Sequence, residues 1–183
     1  MIRDSEKTWL LQQARHAIAE TIGAESLPPP IIDEKSLRMT CGVFVTITSS
    51  GRLRGCIGMI ESEEPLYRTV AEMAAAAARH DPRFPGIDLR EFWDVSIEVS
   101  VLSPLWRVAG LDDIVIGQHG LVVQKEMTRG LLLPQVASEH GWNALTFVEE
   151  TCAKAGLPPE AWKDKRVELY VFTAEVFGEE DKT

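Results

Sequence analysis

Val43-Phe44-Val45-Thr46-Ile47-Thr48, the polar Ser49-Ser50-Gly51-Arg52, and then Leu53-Arg54-Gly55-Cys56-Ile57-Gly58 read as two strands joined by a tight turn. An alternating run, a cluster of small polar residues and a second run form the pattern of a β-hairpin. Side chains alternate across a strand, so Arg54, Cys56 and Gly58 fall on one face and Leu53, Gly55, Ile57 and Met59 on the other. Glycine weakens a strand through lost packing and extra chain entropy. It is found there where the strand bulges or where another group comes close to the backbone. The second arm therefore predicts a cation and a thiol looking out over a bare stretch of main chain, a suitable place for a small molecule or an anion.

Upstream, Asp4 or Ser5 can cap a helix whose stripe is Leu11, Ala14, Ile18 and Ile22, with Gly23 to end it. Leu27-Pro28-Pro29-Pro30 is a stiff extended connector within one domain. Downstream, Ser62-Glu63-Glu64-Pro65 opens a second helix, with acidic residues at its positive end and Pro in the first turn. Leu66, Val70, Met73, Ala74 and Ala77 form its apolar stripe, and Asp81-Pro82 stops it. The loop His80 to Gly86 has two readings: a helix stop anchored by Phe84, or a rigid loop carrying Asp81 and Arg83 to a site rim. Asp88 and Glu91 resemble a capping box for a short helix through Trp93. Val95 to Leu102 alternates as a strand. Glu98, in its middle, is either part of a solvated face or a carboxylate that pairs Arg54 across a cleft.

Trp106 to Gly120 reads as loop, with Ile114-Val115-Ile116 as a short buried piece. Leu121-Val122-Val123, a turn through Met127 to Gly130, and Leu131-Leu132-Leu133 form a second hairpin. A short helix over Gln135 to His140 follows. Asn143 caps the next helix, with Leu145, Val148, Cys152 and Ala155 facing inward and Gly156 and Pro158 at its end. Val167 to Phe177 reads as the last strand, and Gly178 to Thr183 as a fraying tail. Strands pair through hairpins without a regular βαβ beat, so the fold class is antiparallel α+β.

A chain of 183 residues with 45% hydrophobic content suits a single domain, or one core with a smaller lobe. The net charge of −9 and scattered Lys and Arg argue against a nucleic-acid face. No apolar leader or bilayer-length run is present, so no membrane role is expected. Cys41, Cys56 and Cys152 are odd in number and lack metal-type spacing, which points to a reducing, cytoplasmic setting.

Cys56 carries the chemistry if any residue does. It is either a small strand hydrophobe or a nucleophile or metal ligand, activated by Arg54 and exposed amides. A thiol nucleophile needs a base, and His80, His119 and His140 are the candidates. Each also has a structural reading: two helix ends (His80, His140) and one turn (His119). Cys152 reads as packing, and Trp142 as core or as the wall of a pocket. There is no paired His or Cys spacing for a metal, and no phosphate loop or dinucleotide fingerprint. No cofactor is indicated.

Leu53-Arg54-Gly55-Cys56-Ile57-Gly58 resembles the signature of the AMMECR-one domain family. Supporting blocks, in order, are Gly42 to Thr46, Asp81 to Pro85, Val99 to Pro104, His119-Gly120-Leu121, Leu133 to Ala137, Gly141-Trp142 and Lys154 to Leu157. The resemblance covers nearly the whole chain and is greatest to the stand-alone prokaryotic branch, the A component of the AmmeMemoRadiSam system. It implies two unequal lobes, the larger with both termini and the smaller inserted, with the signature near the cleft between them. It also implies partners: a Memo-type, dioxygenase-like protein and a radical S-adenosylmethionine enzyme. It brings no settled reaction. The expected site comprises Cys56 as reactive group, with Arg54, Gly55, Gly58, Asp81, Arg83 and Glu98 around it. The expectation is a small-molecule binding or processing protein; the alternative is a non-catalytic docking module for those partners.

Overall fold

The computed structural model describes residues 2–29 and 35–179. Two compact units emerge. One runs from the N-terminus to Val101 and resumes at Glu175; the other is Leu102–Ala174. The fold is α+β, and the described residues form two four-stranded antiparallel sheets with four α-helices. Among the described residues no helix is long and apolar enough to cross a membrane.

The first unit holds helix α1 (Asp4–Ile22), strands β1 (Val43–Ser49) and β2 (Arg52–Met59), helix α2 (Leu66–Arg79) and strand β3 (Val95–Leu102). With β8 (Ala174–Gly178) these give the sheet order β2-β1-β3-β8. The hairpin turn is two residues, Ser50 (φ 49°) and Gly51 (φ 71°). Positive φ at both positions matches the right-handed twist of the flanking strands.

Val43, Val45, Ile47, Ile97 and Val99 face the helices and are almost fully buried. They meet Leu66, Val70, Met73, Ala74 and Ala77 of α2 and Leu10, Ala14 and Ile18 of α1 in one core. The α1 stripe thus centres on Leu10, with Leu11 and Ile22 at its margin. The cap of α1 also differs from expectation. Asp4 already lies inside the first turn, and it is Glu6 that reaches back to the Arg3 amide at 2.7 Å. Likewise α2 starts one residue after Pro65, which serves as its cap. Pro30 and residues 180–183 lie outside the described residues. The beginning of the expected tail is held: Arg15 grips the Glu179 carboxylate, and the Glu179 amide donates to the Ile97 carbonyl at 2.9 Å.

The second unit holds β4 (Trp106–Val108), β5 (Gly120–Lys125), β6 (Thr128–Leu132), α3 (Pro134–Glu139), α4 (Ala144–Lys154) and β7 (Val167–Phe172), with sheet order β4-β7-β5-β6. The β5–β6 turn is only Glu126-Met127, so Thr128 to Gly130 belong to the strand. β4, three residues long, was hidden in apparent loop. Of the expected buried piece, Ile114 is buried and Ile116 packs against the core, while Val115 between them is exposed. Asn143 caps α4, accepting from the Thr146 amide at 2.9 Å. The inner face of α4 is Phe147, Val148, Thr151 and Cys152, while Leu145 is exposed. The expected single last strand breaks at Thr173, whose amide donates to the Ser103 hydroxyl while its carbonyl accepts from the Ser103 amide. The chain therefore supplies β7 to one sheet and β8 to the other.

Candidate functional site at the β2 edge

Among the described residues strand β2 is an edge strand, with β1 on one side and no ladder on the other. Register places Cys56 opposite Thr46, and Thr46 opposite Glu98 of β3. A row of thiol, hydroxyl and carboxylate therefore crosses the sheet on the face away from the helices. The Thr46 hydroxyl donates to the Cys56 sulfur at 3.3 Å. Cys56 and Thr46 are both half-buried.

The two glycines have specific jobs. A Cβ on Gly55 would stand 2.2 Å from the Ala77 carbonyl oxygen of α2, so the missing side chain is what lets helix and sheet touch. A Cβ on Gly58 would stand 2.3 Å from the Phe44 ring. The backbone at both positions is covered rather than bare. A bulge interrupts the ladder where Ile47 pairs with Gly55 and Thr48 with Leu53, leaving Arg54 as the extra residue. That bulge turns Arg54 aside. Its guanidinium forms a two-pronged pair with Glu91, with Nη2 2.7 Å from Oε2, and lies over Phe84. Only 18% of the Arg54 side chain is exposed. Arg54 does not pair with Glu98, and Glu91, read from sequence as a local helix cap, is its true counter-ion.

Asp81 and Arg83 come directly to Cys56. Asp81 accepts the Cys56 amide at 2.9 Å and binds Arg83 through Nε at 2.9 Å and Nη2 at 2.7 Å. Arg83 Nη2 also reaches the Cys56 carbonyl at 3.4 Å. The pair thus satisfies the outward amide and carbonyl of Cys56, where a neighbouring strand would otherwise bind, and blunts the edge at that point. The Asp81 carboxyl is 2% exposed. The Arg83 guanidinium foremost, and the amides of Cys56 and Arg83 with it, hold it well below the usual carboxylate range against the opposing effect of burial. Arg83 is 53% exposed, and its Nη1 makes no hydrogen bond among the described residues.

The electrostatics differ from a simple cationic pocket. Each guanidinium already faces its own carboxylate, Arg54 with Glu91 and Arg83 with Asp81. The amide read as an exposed activator of Cys56 is occupied by Asp81. What remains open is directional: the Nη1 donors of Arg83, whose Nη2 reaches the main chain of Cys56.

The histidines take structural places. His80 ends α2, its amide donating to Ala76 at 2.7 Å. The His119 ring accepts the Val115 amide at 3.1 Å, and His140 ends α3 with its ring stacked on Trp142. Cys152 is fully buried, and burial pushes its thiol up. Among the described residues no three His, Cys, Asp or Glu side chains gather as a metal cage would require. Thr46 and Glu91 are the site residues that sequence reasoning missed. Thr46 was legible in principle, as the first polar residue of β1, set between the apolar Val45 and Ile47.

A two-unit α+β protein with a glycine-bearing edge strand clipped by an Asp-Pro-Arg loop is the class these features define. The AMMECR1 family model matches residues 11–177, and the chain belongs to that family. It is 42% identical to a protein of Methanothermobacter thermautotrophicus over 97% of this chain and 96% of that one. It is likewise 42% identical to a protein of Pyrococcus furiosus over 98% and 90%. The crystal structure of an uncharacterized protein from Pyrococcus horikoshii matches with a TM-score of 0.91 at 40% identity, covering 98% of this chain and 94% of that one.

Proposed function

We propose that the protein binds a small carbonyl-bearing molecule at the β2 edge and serves as component A of an AmmeMemoRadiSam system. The observation that carries this reading is the Arg83 guanidinium, fixed by Asp81 against the Cys56 main chain with Nη1 left to donate. A planar donor held by two-pronged contact to a carboxylate is set before any ligand arrives, which lowers the ordering cost of binding. Because both local cations are neutralised, a neutral oxygen acceptor suits the site better than a free anion. Cys56 is the reactive or contacting group, with Thr46 donating to its sulfur and Glu98 next in the row. Arg54, Gly55 and Gly58 shape the strand rather than touch the ligand. The test is ligand capture or turnover in the complete three-component system with Cys56→Ser. Loss of capture with an unchanged melting temperature supports the reading; unchanged activity refutes it.

A second reading is a docking module for the Memo-type protein or the radical S-adenosylmethionine enzyme. Leu53, Leu89 and Trp93 favour it. All three are exposed, and they lie in sequence beside the two residues of the Arg54–Glu91 pair. Size-exclusion of purified components decides: a complex lost with Leu89→Asp supports docking, and no complex with any ligand or redox state removes it.

A further inference from the structure

The unit Leu102–Ala174 contains a cavity of about 650 Å³ at the end of the β4–β7 ladder. β4 stops at Val108, opposite Leu169, whereas β7 begins two residues earlier at Val167. The chain leaves β4 through Ala109 and Gly110, and the 3-10 helix Pro159–Lys163 brings Trp162 to the same hollow. The volume lies within the range of small-molecule pockets.

The charges around it are unequal in availability. Asp164 is engaged by Arg166 at 2.7 Å and Lys125 at 3.0 Å. Glu168 is held by Arg107 at 3.2 Å and accepts the Tyr170 hydroxyl at 3.0 Å. Lys163 and Lys165 have no carboxylate partner among the described residues. The Lys163 ammonium sits 5.6 Å from the centre of the Trp162 ring. Two unneutralised cations therefore stand beside an indole and the apolar Val108 and Leu169, in a chain whose net charge is −9.

We infer that this cavity binds a small planar organic anion, its charged group on Lys163 and Lys165 and its flat body against Trp162 and Val108. This inference is independent of the Cys56 site. An indole face and an apolar strand end gain from a flat ring, while ammonium groups without a carboxylate supply the charge selectivity that the rest of the surface opposes. Carboxylate and phosphate share this chemistry.

The experiment is a titration of the ¹⁵N-labelled full chain with 1-naphthyl phosphate and, separately, 1-naphthoate, with neutral 1-naphthol as control. The indole N–H of Trp162 has no acceptor among the described residues, which makes its resonance a sensitive reporter. Saturable shifts are expected at Val108 to Gly110, at Trp162 to Leu169 and at the Trp162 indole, with at least one of the two anions. They should appear at least tenfold more weakly with 1-naphthol. The stronger of the two anions identifies the headgroup. The Lys163→Glu, Lys165→Glu double variant should raise Kd at least tenfold while leaving the rest of the spectrum in place. No saturable shift with either anion, shifts centred elsewhere, equal binding of 1-naphthol, or an unchanged Kd in the double variant overturns the inference.

Discussion

Replacing Asp81 by Asn tests the clip on β2 most closely. The carboxylate accepts four hydrogen bonds, from the Cys56 amide, the Arg83 amide, Arg83 Nε and Arg83 Nη2. An Asn amide keeps the shape but turns one acceptor into a donor, and each oxygen accepts two of the bonds, so either the Cys56 N–H and Arg83 Nη2 or the Arg83 amide and Nε face an N–H instead of an oxygen. Hydrogen bonds to charged groups contribute about 1.5–3 kcal/mol each, and a buried donor left unmade costs about 1–3 kcal/mol. Arg83 is half in solvent and regains water, which discounts its share. The expected loss is about 3 kcal/mol, or a fall in Tm of about 6–12 °C for a chain of this size. The sign with pH follows from the depressed carboxyl. Its stabilisation is fully present above the unfolded value of about 3.9 and disappears as pH falls through the lower folded value. Urea unfolding of wild type should therefore weaken below about pH 4, and Asp81→Asn should lack that part of the slope. A variant melting within about 2 °C of wild type, with a parallel acid profile, would refute the clip.

Gly55→Ala should be costly, since the new Cβ meets the Ala77 carbonyl at 2.2 Å; overpacking of this kind costs about 1–3 kcal/mol or more. Gly110→Ala, with nothing within 4 Å, is its near-neutral control in the same thermal melt. In the second unit, Phe147→Ala should lose about 3–5 kcal/mol by urea titration, because the ring is fully buried. Leu145→Ala, exposed on the same helix, should stay within about 0.5 kcal/mol. Glu6, buried and drawn down to about 2 by Arg3 and Ser36, should contribute stability lost between about pH 4 and pH 2. Glu6→Gln should flatten that interval in an acid titration followed by circular dichroism.

The hairpin, the buried faces of α2 and β3 and the Asn143 cap were legible because each is a local pattern: period two, period 3.6, or one side chain serving the next turn. The glycines of β2 signalled a bulge or a close approach, and the strand has each: a bulge at Arg54 and a close approach of Gly55 to Ala77. What sequence could not show was their direction. Nothing local says that the Gly55 face meets Ala77, or that the bulge swings Arg54 toward Glu91 instead of Glu98. Asp88-x-x-Glu91 is sufficient as a cap motif by itself, which concealed the long-range role of Glu91. The break at Thr173 was equally hidden: Val167 to Phe177 is uniformly strand-like, and the switch of sheet rests on a partner 70 residues away, Ser103. Leu145 and Phe147 show the limit of stripe counting on a short helix, where a small rotation exchanges inside for outside.

Competitive alkylation of the folded protein, read by mass spectrometry at each cysteine, bears most directly on the β2 edge as a ligand site. Cys56 should react ahead of Cys41, whose thiol burial raises to about 11, and far ahead of the sealed Cys152. Relative to free cysteine, it should favour the neutral, carbonyl-bearing iodoacetamide over iodoacetate, because Arg83 donates while its charge is balanced by Asp81. A Cys56 that stays unmodified until the protein unfolds, or that prefers iodoacetate, would contradict the account.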